Sequence, residues 1–194
     1  MGENVENLFF VGTGNFTAVG NQLNNSIAGG AGNDILNGGL GADLMFGGAG
    51  NDDFGVTDAG DVVVEGIGGG VDSVWTSLNS YTLGENIENL FFGGTGNFTA
   101  VGNTLNNVFA GGIGNDTFVF GAGFGNDQIF GFNDGQDRLD ISAFNVTAAN
   151  FAGNVNIADA GADTLISFGG ADSIRLVGVA DATTITATDF ILAT

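Results

Sequence analysis

The stretch GGAGNDILNGGLGADLMFGGAGNDDFG, residues 29–55, decides the fold. It divides into blocks of nine that begin at Gly29, Gly38 and Gly47. Each block opens Gly-Gly, has Gly at its fourth place, Asp at its sixth (Asp34, Asp43, Asp52) and an apolar residue at its eighth (Leu36, Met45, Phe54). Around the eighth place a short extended segment turns one side chain inward and its neighbours outward, as the two-residue period of a strand requires. The six residues before it must reverse the chain, and glycine supplies both positive φ and uncovered backbone for that turn. Two blocks then make one coil of about 18 residues, with a strand on each side and a turn at each end. Repetition at so short a period means a solenoid, in which each unit buries its apolar side only by stacking on its neighbours.

The frame runs outward in both directions. Backward, blocks from Gly2, Val11 and Gly20 put Phe9, Ala18 and Ile27 at the eighth place. Forward, VTDAGDVVV (56–64) carries Asp61 and Val63, and after two extra residues IGGGVDSVW (67–75) carries Asp72 and Val74. A longer repeat overlies the short one: residues 2–34 recur at 84–116 with 27 of 33 positions identical. The second copy continues through GGIGNDTFV (111–119) with Asp116, AGFGNDQIF (122–130) with Asp127 and FNDGQDRLD (132–140) with Asp137. We therefore expect a first repeat unit over 2–83, a second over 84–140 and a separate closing segment over 141–194.

Composition narrows the function. Among 194 residues there are 37 glycines, no proline, cysteine or histidine, and 22 acidic residues against two basic ones, for a net charge of -20. No disulfide, thiolate site, imidazole metal site or histidine-dependent triad can be built from this set. Two arginines do not make a phosphate-binding face, so nucleic acid is excluded as a partner, and an anionic membrane repels such a chain. No stretch is long enough to insert in a membrane. High net charge favours disorder, yet 43% of the residues are hydrophobic and 18 are phenylalanine. An acidic, apolar, glycine-rich chain points to a fold that closes on cations.

The frame says where those cations would sit. Turns two blocks apart stack at the strand spacing of about 4.8 Å, which lines up the sixth-place aspartates. Two carboxylates at that distance repel by roughly 3–4 kcal/mol at an effective dielectric near 20, and a cation between them reverses the sign. Carboxylates and bare backbone carbonyls are all hard oxygens, which suit calcium with its six to eight oxygen ligands better than magnesium or zinc.

GGAGNDILN, GGLGADLMF and GGIGNDTFV resemble the GGxGxDxUx nonapeptide (U apolar) of RTX, or haemolysin-type, calcium-binding proteins. The resemblance implies an all-β fold, a right-handed parallel β-roll, with several calcium ions (Ca2+) held between turn n and turn n+2. It implies ligands from Gly29, Ala31, Asn33 and Asp34, from Gly38, Leu40, Ala42 and Asp43, from Gly47, Ala49, Asn51 and Asp52, and from Gly111, Ile113, Asn115 and Asp116, together with Asp61, Asp72, Asp127 and Asp137. Asp34 is expected to share an ion with Asp52, Asp43 with Asp61, and Asp116 with Asp137. Asn7, Asn25, Asn89 and Asn107 stand at the sixth place elsewhere, and Phe16 and Phe98 in the GTGNFTAV blocks. Those coils are expected to be poor in metal and held by packing and asparagine stacking.

The glycine register is expected to stop near residue 141. Strand-like runs follow at Val155–Ile157, Thr164–Phe168, Ser173–Val177, Thr183–Ile185 and Phe190–Leu192, read as an antiparallel cap over the open end of the solenoid. DRLDISAF (137–144), DTLISFGGADSIRLVGV (163–179) and the ending Asp189-Phe190-Ile191-Leu192 also resemble the C-terminal region of bacterial proteins exported by type I secretion. That implies an uncleaved export signal, the secretion machinery as a partner, and a secreted or cell-surface location. The start MGENVENLFF lacks the basic residues and long apolar core of a cleaved leader. Because the second copy follows SVWTSLNSYTL (73–83) and the first follows Met1 directly, we expect a piece of a longer protein or a compact relative of one, against the alternative of a natural start.

Three functions compete. One is a calcium-binding module that folds outside the cell. Another is a structural or adhesive surface protein that meets a polysaccharide or a cell surface through rows of Thr and Asn such as GTGNFTAVGN (12–21 and 94–103). The third is an enzyme. Its carboxylate pairs already have a metal explanation and no aromatic cleft is evident beyond Trp75 and Tyr81, so we expect no catalysis in this chain.

Overall fold

In a computed structural model that describes residues 1–194, the inward side chains of successive short strands fall one above another. The chain divides into two units, Met1–Leu78 with Leu83–Gly93, and Asn79–Thr82 with Gly94–Thr194.

The first unit is two parallel sheets built from alternating blocks. Asn7–Phe9, Ser26–Ala31, Leu44–Ala49 and Val62–Val64 stack in that order on one side. Thr17–Val19, Ile35–Asn37, Asp53–Val56, Ser73–Thr76 and Asn89–Phe92 stack on the other. Partners lie one coil apart: Ile27 pairs with Met45 and Met45 with Val63, while Ala18 pairs with Leu36 and Leu36 with Phe54. The two extra residues before position 67 lengthen one coil, so that Phe54 pairs with Val74. Ile27, Leu36, Met45, Phe54, Val74 and Leu90 are wholly buried in the stack. Burying each such side chain contributes about 1.5–3 kcal/mol.

The earliest block departs from the frame. Leu8, not Phe9, pairs with Ile27, and Phe9 is 58% exposed. The second copy behaves alike, with Leu90 facing inward. GENVENLFF and GENIENLFF lack the Gly-Gly turn, and Asn4 and Asn86 take up the positive φ instead. The coil is thereby one residue out of phase with the later blocks.

The second unit stacks Ser80–Thr82, Thr99–Val101, Thr117–Val119, Arg138–Asp140 and Phe190–Ile191 as one parallel sheet. Val108–Ala110, Asn126–Phe130 and Ser173–Val177 form another parallel run, to which Thr164–Ser167 and Asn156–Asp159 add antiparallel strands. The closing segment is thus partly antiparallel, as expected. Two of its strands, however, extend the parallel stacks, so coil stacking continues beyond residue 141. Thr183–Ile185 is not a strand. Ala182–Thr184 is a 3-10 turn, because the Asp181 side chain accepts hydrogen bonds from the Thr183 amide and hydroxyl. Aromatic contacts fill this end: Phe124 meets Phe120, Phe144 and Phe168 with ring centroids 4.8–5.9 Å apart. No helix is long and apolar enough to cross a membrane.

Candidate metal centre

The turns that precede the strands bring the sixth-place aspartates into rows. Each aspartate uses one oxygen to accept the backbone N–H of the sixth residue one coil earlier. Asp34 Oδ1 accepts from Phe16 N (2.8 Å), Asp52 Oδ1 from Asp34 N (2.8 Å) and Asp72 Oδ1 from Asp52 N (2.8 Å). A neighbouring row runs from Asn25 N to Asp43 Oδ1 (2.6 Å) and from Asp43 N to Asp61 Oδ1 (3.1 Å). In the second unit, Phe98 N donates to Asp116 Oδ1 (2.9 Å), Asp116 N to Asp137 Oδ1 (2.9 Å) and Asn107 N to Asp127 Oδ1 (2.8 Å). The expected pairs Asp34–Asp52, Asp43–Asp61 and Asp116–Asp137 are therefore adjacent. Asp52–Asp72 is adjacent as well, because the inserted residues lengthen the coil without shifting its turn.

The other oxygen of these carboxylates turns toward the Gly-Gly opening of its own block. A Cβ on Gly29, Gly38, Gly47 or Gly111 would overlap Oδ2 of Asp34, Asp43, Asp52 or Asp116, respectively. Any side chain at the first place would fill the space beside the carboxylate. Gly48 shows why the second place is glycine too. Its φ is +109°, and its backbone lies directly over the Gly30 carbonyl of the previous coil.

The remaining turn residues contribute backbone. Leu40 and Ile113 project outward, and Ala31 pairs with Ala49 in the Ser26–Ala31 and Leu44–Ala49 ladder. The fifth-place asparagines form a second ladder: Asn33 N donates to Asn15 Oδ1 (3.0 Å), Asn51 N to Asn33 Oδ1 (2.9 Å), Ala42 N to Asn24 Oδ1 (2.9 Å) and Asn115 N to Asn97 Oδ1 (3.0 Å). The side-chain oxygens of Asn33, Asn24, Asn15 and Asn97 are thus committed to the backbone. The sixth-place Asn25 acts within its own turn, accepting from Asn21 N at 2.8 Å.

Two acidic residues outside the frame join these rows. Glu65, the first of the inserted pair, is buried beside Asp52 and Asp72. Its only signal in the sequence is the insertion itself. Asp172 accepts from Gly123 N (3.1 Å) and Gly125 N (3.3 Å) of the turn that leads to Asp127. Gly169-Gly170 before Asp172 is a trace of the nonapeptide within the segment read as frameless.

Electrostatically the rows are under stress. Six buried carboxylate oxygens have no hydrogen-bond partner: Oδ2 of Asp34, Asp43, Asp52, Asp72 and Asp127, and Oε1 of Glu65. Burial pushes the carboxyls of Asp34, Asp43, Asp72 and Asp116 above the usual range, against a lowering backbone hydrogen bond in each case. Burial, with repulsion from Asp34 and Asp72, raises Asp52 to about 6. Burial, with repulsion from Asp72 and Asp52, raises Glu65 to about 7. Burial and Asp172 raise Asp127 to about 7. The only salt bridge in the chain, Arg175–Asp163, lies outside the rows. Buried, unpaired, hard oxygens with no internal cation fit a divalent ion such as calcium.

The model of the RTX calcium-binding nonapeptide repeat matches four copies, over residues 19–54, 92–124 and 155–176. The chain carries RTX calcium-binding nonapeptide repeats. The RTX match at 155–176 covers the antiparallel strands Asn156–Asp159 and Thr164–Ser167 and most of Ser173–Val177, the strand that continues a parallel stack. RTX repeats are calcium-binding motifs, and calcium is the ion that the rows described above suit. A comparison with curated proteins gives no match. Among solved structures, the extracellular lipase LipA of Serratia marcescens aligns over 99% of this chain and 41% of its own, at 19% identity and a TM-score of 0.37. The chain thus spans about two fifths of that lipase. The AlgE6R3 subunit of the Azotobacter vinelandii mannuronan C5-epimerase aligns over 100% of this chain and 87% of its own, at 22% identity and a TM-score of 0.26. The AlgE6R2 subunit aligns over 91% and 92%, at 23% identity and a TM-score of 0.34.

Proposed function

We propose that this chain is a calcium-driven folding module of a secreted protein. It is held open by its own charge where calcium is scarce, and it closes where calcium is abundant. The observation that carries this reading is the set of six buried carboxylate oxygens without partners. Such oxygens oppose folding until an ion reaches them. An ion that binds only the folded chain then adds about 2.7 kcal/mol per site at a hundredfold excess over its dissociation constant. Asp34 with Asp52, Asp43 with Asp61, and Asp116 with Asp137 hold the shared ions, and turn carbonyls complete the oxygen shell.

In this reading the sequence units 2–83 and 84–140 bind the ions, and 141–194 closes the stack and is read by a type I exporter. Export of the unfolded chain and folding outside the cell agree with the absence of any charge-neutralising lysine in the repeats. The module itself performs no catalysis, and any activity belongs to the protein it serves. Small-angle scattering at pH 7.5 tests the folding step. A chain of this length has a radius of gyration of roughly 47 Å unfolded and roughly 16 Å compact. The value should fall toward the smaller figure when calcium replaces chelator. A compact chain in chelator refutes the proposal. Calcium-independent export by cells lacking a type I system would refute the secretion half alone.

A further inference from the structure

Asp52, Glu65 and Asp72 place three carboxylates within 4.8 Å of one another, all buried. Each has one oxygen committed. Asp52 Oδ1 accepts from Asp34 N (2.8 Å), Asp72 Oδ1 from Asp52 N (2.8 Å) and Glu65 Oε2 from Gly66 N (3.2 Å). Each also has one oxygen that is buried without a partner: Asp52 Oδ2, Asp72 Oδ2 and Glu65 Oε1. Two of these free oxygens converge on a single point, since a Cβ on Gly47 would overlap both Glu65 Oε1 and Asp52 Oδ2. A second carbonyl-rich flank adjoins them: Glu65 Oε2 and the Gly48 carbonyl lie 2.9 and 3.0 Å from where a Cβ on Gly69 would stand. Glu65 itself is only 8% exposed, and both arginines of the chain belong to the other unit.

The nonapeptide frame supplies Asp52 and Asp72 but has no place for a glutamate. Glu65 arrives with the insertion Glu65-Gly66, which lengthens this one coil and folds its extra carboxylate back between the two turns. We propose that Glu65 is a third anionic ligand at the ion position between the 47–52 and 67–72 turns, making it the highest-charge and tightest calcium site of the first unit. Ligand charge count is a main determinant of calcium affinity in all-oxygen sites. Two carboxylates balance a calcium ion, and a third exceeds its charge, so the same position favours a trivalent lanthanide over calcium more than its neighbours do. The proposal rests on the calcium reading above and adds to it a residue outside the repeat.

Calorimetric titration of the full chain with calcium and, separately, with terbium tests it, comparing wild type with Glu65→Gln, which keeps the shape and removes the charge. Asp43→Asn is the control, since it removes a charge from the neighbouring row. Glu65→Gln should weaken the tightest calcium class by about tenfold or more. It should weaken terbium by a larger factor and leave the other ions bound, whereas Asp43→Asn should leave the tightest class in place. An unchanged tightest class in Glu65→Gln, with calcium still folding the chain, overturns the role of Glu65 alone. Absence of calcium binding by the wild type overturns both this role and the folding reading. An anomalous map of calcium-loaded wild-type crystals makes the same decision without a variant. A peak about 2.3–2.6 Å from Glu65 Oε1 supports the site. Ions at the other turns with none at Glu65 overturn it.

Discussion

Acid should do for the metal-free chain part of what calcium does. Consider the chain in chelator, shifted from pH 8 to pH 5. In the folded state Asp52 titrates near 6, Glu65 near 7 and Asp127 near 7, whereas in the unfolded chain such groups titrate near 4. A carboxyl whose folded value is raised stabilises the fold when protonated. That contribution is complete below the unfolded value and is lost as the pH rises through the folded one. Between pH 8 and pH 5 the linkage amounts to about 1.4 kcal/mol for Asp52 and about 2.6 kcal/mol each for Glu65 and Asp127. Asp52 and Glu65 repel each other, so the two together yield less than their sum. The first unit therefore gains between about 2.6 and about 4.0 kcal/mol and the second about 2.6 kcal/mol, a shift of nearly a hundredfold or more toward the folded state. The assay is the far-UV circular dichroism strand signal in chelator at pH 8, 7, 6 and 5, staying above the sequence pI of about 4.1. The strand signal should be absent at pH 8 and grow as the pH falls. With saturating calcium the sign reverses, because protons compete with the ion for the same oxygens. A metal-free chain whose strand signal does not rise between pH 8 and pH 5 would refute the assignment of these carboxylates as the source of instability.

Other variants probe separate parts of the stack. Gly29→Ala places a Cβ against Asp34 Oδ2, so the calcium midpoint for folding should rise several-fold while Gly14→Ala, which meets nothing within 4 Å, should leave it unchanged. Phe54→Ala empties a wholly buried place between Leu36 and Val74 and should cost about 3–5 kcal/mol in the urea unfolding of the calcium-loaded chain. Asn33→Ala removes the acceptor of the Asn51 amide at an exposed turn. It should cost about 1 kcal/mol or less by the same measurement, since water can replace it.

What the sequence made legible was the period. Gly-Gly at the first two places, Asp at the sixth and an apolar residue at the eighth predict which side chains enter the stack, and Leu36, Met45 and Phe54 all do so. The reading failed where the glycine turn was missing. In GENVENLFF nothing but counting fixed the phase, and counting chose Phe9 where the coil puts the half-buried Leu8 in line with Ile27. It also stopped too early. Ser173–Val177 and Phe190–Ile191 continue the parallel stacks through partners 47 and 51 residues away, as in Ile129 with Leu176 and Leu139 with Phe190, and no periodic count spans such an excursion. For the metal rows, spacing alone indicated the adjacency of Asp34 with Asp52 and of Asp43 with Asp61. Glu65 escaped because an insertion has no register. Only the folded coil shows that its side chain returns to Asp52 and Asp72.

The central claim is that calcium, captured by the sixth-place carboxylates, drives this chain from open to folded. The most direct measurement is a calcium titration of the full chain at pH 7.5, starting in chelator and followed by far-UV circular dichroism. We predict an unfolded spectrum in chelator and a steep, saturable rise of strand signal on adding calcium. A strand spectrum already complete in chelator and unmoved by calcium would contradict it.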